Sequence, residues 1–195
     1  GYPITKALNI FTGAHVTRIH PLTRETIPWQ WLRFKGCNTA ITSENLMTFR
    51  SGSASFVDLT KGQGTSNLGG FRAGCTSNLI PANGVLSAPD YTRTCTCSYQ
   101  NQASLAMVHT PEGEAWSFDY YPNVDKATPV THVGLNLGAP GNRFGENGVL
   151  WIEYPSIGGV SPDIPVRTVS QNPKWFHHHQ SKVAGEFNWV TASGI

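Results

Sequence analysis

The chain has 195 residues with 14 Lys and Arg against 12 Asp and Glu, so 13% are charged, where a soluble domain carries about 25%. Twenty glycines and 13 prolines, about one residue in six, exclude a helical bundle or coiled coil, and 39% hydrophobic with 11% aromatic content excludes disorder. A net charge of +2 does not mark a nucleic-acid partner, and no run of eighteen apolar residues is present to span a membrane.

The sequence opens Gly1-Tyr2-Pro3, without an initiator methionine or an apolar signal core, and closes on Thr191-Ala192-Ser193-Gly194-Ile195. This leads us to expect a processed chain or a piece of a longer protein. Trp29 and Trp31, two residues apart, are expected on one strand face, packing inward. The stretches Cys37–Ser51 and Asp90–Thr110 lack Gly and Pro, yet begin threonine-rich, and β-branching favours strands. Short strands are expected at Leu46–Arg50, Ser55–Leu59, Gly84–Ala88, Ala115–Tyr120, Val149–Tyr154 and Ile164–Val169. Turn signals separate them at about ten-residue spacing, the interval of an all-β sandwich, barrel or propeller. One short helix is expected at Gln100–Val108, where Ala103, Leu105, Ala106 and Met107 are good helix formers. Asn83-Gly84 and Asn147-Gly148 each precede Val-Leu and are suited to the positive φ of a tight hairpin turn. The expected fold class is all-β with little helix.

Residues 1–100 hold nine Lys and Arg against four Asp and Glu; residues 101–195 hold five against eight, a net −3. That shift, with Thr110-Pro111-Glu112-Gly113-Glu114 and Tyr121-Pro122-Asn123, puts a boundary between about 111 and 130. The expected parts are 1–112, a linker at 113–130, and 131–195. Cys37, Cys75, Cys95 and Cys97 all lie in the first part. On a strand, Cys95 and Cys97 would share a face, and each could reach a partner, most simply Cys37 and Cys75. Two disulfides and an oxidising compartment are the favoured reading, beside four free thiols or a four-thiolate metal site whose spacing is wrong for zinc.

His177 and His179 would share a strand face and suit a transition metal, with His132, His109 or Glu186 as the third donor; the alternative is a polar strand face against aromatics. Glu112, Glu114 and Asp119 include a possible acid pair, with solvated surface as the favoured reading. Arg50, Arg72 and Arg93 would line a polar channel or, in the favoured reading, bond strand carbonyls. No nucleophile elbow, Walker loop or dinucleotide fingerprint is present. Trp29, Trp31, Trp116, Trp151, Trp175 and Trp189, with Tyr120, Tyr121 and Tyr154, supply rings that either stack on sugar faces or fill a core. Trp151 and Tyr154, three apart, cannot both face one side of a strand, so one is a candidate for exposure.

Leu46-Met47-Thr48-Phe49-Arg50-Ser51-Gly52 followed by Phe56-Val57-Asp58-Leu59-Thr60-Lys61-Gly62 resembles a blade of pyrroloquinoline-quinone-like β-propeller repeats. The repeat runs strand, tight turn, strand ending in Asp-Leu, then a Thr-Gly-type turn, here lengthened to Thr60-Lys61-Gly62. With Phe71–Cys75, Ile80–Pro89 and Cys95–Tyr99, residues of about 5–110 look like the cysteine-bearing propeller portion of large secreted proteins of planctomycete-type bacteria. Val133-Gly134-Leu135-Asn136-Leu137-Gly138 followed by Gly148-Val149-Leu150-Trp151 resembles the opening of a malectin-like carbohydrate-binding module, with Glu153-Tyr154 where that family tends to place an aspartate. A blade takes roughly 40–50 residues and a ring needs at least four, so about a hundred residues supply roughly two blades.

The resemblances imply an incomplete propeller followed by a partial β-sandwich, in a secreted or periplasmic, non-catalytic binding or scaffold protein. Carbohydrate is the expected ligand, other chains or the rest of a larger protein the expected partners, and Trp151, Tyr154, Asn136 and Trp175 the expected sugar contacts. No cofactor is expected, with calcium or a transition metal as the alternative. The competing functions are part of a quinoprotein dehydrogenase, a polysaccharide-degrading enzyme, or a structural subunit of a large assembly.

Overall fold

The structure is a computed structural model that describes residues 4–75, 78–90, 97–110, 112–119, 129–157, 164, 166–167 and 169–195. It is all-β: among the described residues helix is limited to a 3-10 turn at Gln180–Lys182 and one α-helical turn at Asn188–Thr191. No helix among these residues is long and apolar enough to cross a membrane. The chain forms two compact units, one of Gly1–Lys6 with Gln30–Pro111, the other of Ala7–Trp29 with Glu112–Ile195. The early segment Ala7–Trp29 thus belongs with the C-terminal residues, which the charge shift near residue 111 did not suggest.

In the first unit, Ile4–Lys6 pairs antiparallel with Gln30–Leu32. Four further strands, Ile41–Thr42, Leu46–Ser51, Ser53–Asp58 and Thr65–Asn67, pair each with the next as an antiparallel meander. The turn at Gly52 is as tight as expected: Ser51 faces Ser53, and the glycine takes φ 77°, open to a residue without Cβ. Asp58 ends its strand, and its Oδ1 accepts from the Thr60 and Lys61 amides at 2.9 and 3.2 Å. Phe49 is fully buried, its ring 4.2 Å from that of Trp31. Trp31 is inward-facing as expected, but Trp29 lies between strands and in the other unit, so the two do not share a strand face. Thr65 Oγ1 donates to Leu32 O at 2.5 Å, and Thr48 Oγ1 to Leu79 O at 2.8 Å, so strand threonines tie the sheets together.

Arg50, 3% exposed, donates from Nε to Gly52 O at 3.1 Å, and Arg72 is fully buried with Nη1 3.9 Å from Cys75 Sγ. Both sit inside the fold, in keeping with hydrogen bonding rather than a channel lining; Arg93 lies outside the described residues.

Ile80–Ala82, Val85–Ala88 and Leu105–Val108 form a second antiparallel sheet. Asn83 and Gly84 take φ 50° and 75° at its hairpin, the two positive values the Asn-Gly pair was expected to supply. The helix expected at Gln100–Val108 is absent. Leu105–Val108 is a strand in register with Val85–Ala88, its Leu105 and Met107 packed on a core of Ala54, Ala73, Leu79 and Ala88. Pairing with a waiting neighbour and period-two burial outweigh helix propensity in so short a segment.

The expected disulfides do not form among the described cysteines: Cys37, Cys75 and Cys97 are not linked to one another, and Cys95 lies outside the described residues. The pairing presupposed a strand through 95 and 97, whereas Cys97 lies outside any strand, just before a bend where Tyr99 takes φ 63°. Tyr120 and Tyr121 also lie outside the described residues.

The second unit is built on Leu150–Tyr154, which pairs in parallel with Gly134–Leu137 and antiparallel with Arg143–Phe144. The two motifs of the malectin-like resemblance are therefore neighbouring strands, with Gly134 opposite Trp151. A Cβ on Gly134 would lie 2.3 Å from the Trp151 ring, so the glycine lets the indole rest on the adjacent backbone. We expect Gly134→Ala to destabilise the protein by about 1–3 kcal/mol through overpacking, read from the shift in urea midpoint.

The turn Gly145–Gly148 closes with Gly148 N donating to Gly145 O at 2.9 Å; Gly148 alone takes positive φ, 74°, while Asn147 accepts from the Val149 amide. No strand is found at the described residues of 164–169. Ala7–Trp29 contributes the hairpin Thr17–Ile19 with Thr26–Pro28, and Leu22 packs with Leu150 and Ile152 as a buried core. Leu22 O accepts from both the amide and the hydroxyl of Thr131, at 2.8 and 3.0 Å. Arg18 Nη2 lies 2.7 Å from Asp119 Oδ2, with Asp119 1% exposed.

Candidate functional site

Side chains alternate along Leu150–Tyr154, so Trp151 and Tyr154 leave the strand on opposite faces and enter two different aromatic groups. Trp151 packs edge-on against Trp189 at 5.7 Å and beside Phe187 at 6.3 Å. Trp116 meets Trp189 at 6.4 Å and His177 at 6.3 Å, both near-perpendicular, the geometry aromatic quadrupoles favour. Arg143 lies over the Trp189 ring at 4.8 Å and donates to Gln180 Oε1 at 2.9 Å. Burial pulls the Arg143 guanidinium below its usual pKa, and the charge of Glu114 acts in the opposite direction.

Glu114 closes this group: its Oε1 accepts the Gln180 amide, and its Oε2 accepts from Trp116 Nε1 at 3.5 Å and lies 3.9 Å from His177 Nε2. These rings pack against one another around buried Trp189, with Phe187 and His177 at the exposed margin of the group.

The other face carries the more open arrangement. Tyr154 stands 6.0 Å from Trp175, and its hydroxyl donates to Val166 O at 3.0 Å. Tyr154 thereby backs Trp175 and holds the loop beside it. Trp175, 36% exposed, lines a cleft of about 470 Å³ with Leu137, Val166, Val169, Pro173 and Ile195 as apolar wall. Arg167, Ser170, Asn172 and Lys174 complete the lining and are all exposed. The mix of one accessible indole, aliphatic wall and a few polar groups is that of a small-ligand cleft.

The structure thus brings Tyr154 and Trp175 together and places Trp151 in the packed group opposite. Asn136 is fully buried: its Nδ2 donates to Trp189 O at 3.4 Å and its Oδ1 accepts from Ser193 Oγ at 2.9 Å, so it is out of a ligand's reach. Glu153, at the position where an acidic sugar contact was of interest, is 3% exposed and its amide donates to Asn142 Oδ1. Arg167, Ser170, Asn172 and Lys174 escaped the sequence reading because exposed polar residues in a loop have no period; only their proximity to Trp175 in sequence hinted at them.

The histidine pair does not assemble. The strand Phe176–His177 ends before His179, which instead caps the 3-10 turn, its Nδ1 accepting from the Ser181 amide at 3.2 Å. Among the described residues no group of three or more His, Cys, Asp and Glu is arranged to hold a metal ion, and His132, His109 and Glu186 complete none. The carboxylates do not form an acid pair either, since Asp119 faces Arg18 while Glu114 is bonded to Gln180 and Trp116. In comparisons with known proteins, no family model, no curated protein and no solved structure matches this chain.

Proposed function

We propose that the chain is a non-catalytic carbohydrate-binding element of a larger extracytoplasmic protein, with the cleft at Trp175 as its binding surface. The observation that carries this reading is the accessible indole: Trp175, 36% exposed and packed beside Tyr154, lines a 470 Å³ cleft with hydroxyl, amide and cationic groups around it. A flat apolar ring flanked by hydrogen-bonding groups complements a pyranose, which has an apolar C–H face and a polar rim.

The larger protein is part of the proposal and draws on the blade-like sequence of the first unit. The extracytoplasmic placement rests on the resemblance to secreted propeller proteins alone.

The test is binding of the full chain to a panel of soluble polysaccharides by affinity electrophoresis. Trp175→Ala is expected to abolish retardation, whereas Trp151→Phe, which keeps the packed group aromatic, is expected to leave it intact. Retardation unchanged in Trp175→Ala, or absent with every polysaccharide, would overturn the reading.

A further inference from the structure

The charges around the cleft are one-sided. Among the described residues its lining contains Arg167 and Lys174 and no aspartate or glutamate. Both cations are exposed and so accessible to an incoming anionic group. A guanidinium presents a planar fork matched to a carboxylate or sulfate, and an ammonium adds a mobile point charge. Ser170 and Asn172 lie on the same lining and can bond hydroxyls, which charge alone would not require.

We propose that this cleft selects acidic carbohydrate, a polysaccharide bearing carboxylate or sulfate groups, with the sugar ring on Trp175 and the anion at Arg167 and Lys174. This rests on the carbohydrate reading above and narrows it to a ligand class. Neutral glycans would gain the stacking but leave both cations unpaired, and simple polyanions would gain the charge but leave the indole bare. Discrimination by both features together is what distinguishes this site from a general basic patch.

The experiment titrates the full chain with polygalacturonate, dextran sulfate, unmodified dextran and inorganic polyphosphate, for the native sequence, Arg167→Gln/Lys174→Gln and Trp175→Ala. Circular dichroism confirms that each variant is folded. The native chain is expected to bind one or both acidic polysaccharides at least about tenfold more tightly than dextran or polyphosphate, with affinity falling as salt is raised. The carboxylate and sulfate arms identify which anion is preferred. The double glutamine variant is expected to lose that preference, and Trp175→Ala to lose binding to all three polysaccharides.

Equal affinity for dextran and the acidic polymers in the native chain would overturn the inference while leaving the carbohydrate reading standing. Polyphosphate bound as tightly as the acidic polysaccharides, with no effect of Trp175→Ala, would overturn both.

Discussion

Replacing Phe49 by alanine is expected to cost about 3–5 kcal/mol of stability. Phe49 is fully buried in the middle of the six-residue strand Leu46–Ser51, and its ring meets Trp31 at 4.2 Å. Removing it deletes the transfer free energy of the ring and leaves a hole. Neighbours can fill that hole only by moving strands that are hydrogen-bonded on both sides. The check is urea denaturation followed by tryptophan fluorescence, with Phe49→Leu as the milder comparison. A loss below about 1 kcal/mol in the alanine variant would mean that the site collapses or that the ring is not packed as described.

Asp119→Ala is expected to destabilise the second unit by a similar amount, about 3–5 kcal/mol, for a different reason. Asp119 is 1% exposed and its carboxylate lies 2.7 Å from Arg18, which is itself only 14% exposed. Truncating the acid leaves a guanidinium confined with its principal counter-charge gone. The double variant R18M/D119L removes both charges and keeps apolar volume, so it should cost markedly less than the single change. That ordering separates an uncompensated charge from lost packing, and calorimetric Tm values for the three proteins would read it. A double variant as unstable as Asp119→Ala would locate the loss in shape rather than charge.

Local features of this chain were legible where a short-range rule decides them. Asn83-Gly84 announces its hairpin because few other residue pairs tolerate two successive positive φ values. Leu46–Ser51 was read within one residue, because Met47 to Ser51 are strand-compatible and Gly52 punctuates the end. Leu105–Val108 was misread because four residues of good helix propensity carry little energy against a sheet edge that Val85–Ala88 offers.

The candidate site was legible only in part, for the same reason carried further. Strand alternation correctly separated Trp151 from Tyr154, but which of the two faces opens on a cleft depends on where Trp175 returns, and no local pattern encodes that. Asn136 looked like a ligand residue in its motif, yet it sits where the strand Ser193–Gly194 and the turn at Trp189 use up its amide. The histidine pair fell to the shortness of its strand: period-two reasoning holds only while the strand lasts, and this one ends at His177.

The hydrogen bond from Thr131 to Leu22 joins residues 109 positions apart, and it has a bearing on how the molecule is made. At about 5–20 residues per second, synthesis needs roughly 5–20 s to travel from the end of the Ala7–Trp29 segment to the stretch beyond Thr131 that receives it. Through that interval the hairpin bearing Leu22 and Arg18 is out on the nascent polypeptide with its permanent neighbours not yet translated. The first unit, most of which is translated between the two segments of the second, can close in the meantime around its own strands, so this hairpin is seated after strands that are made later than itself.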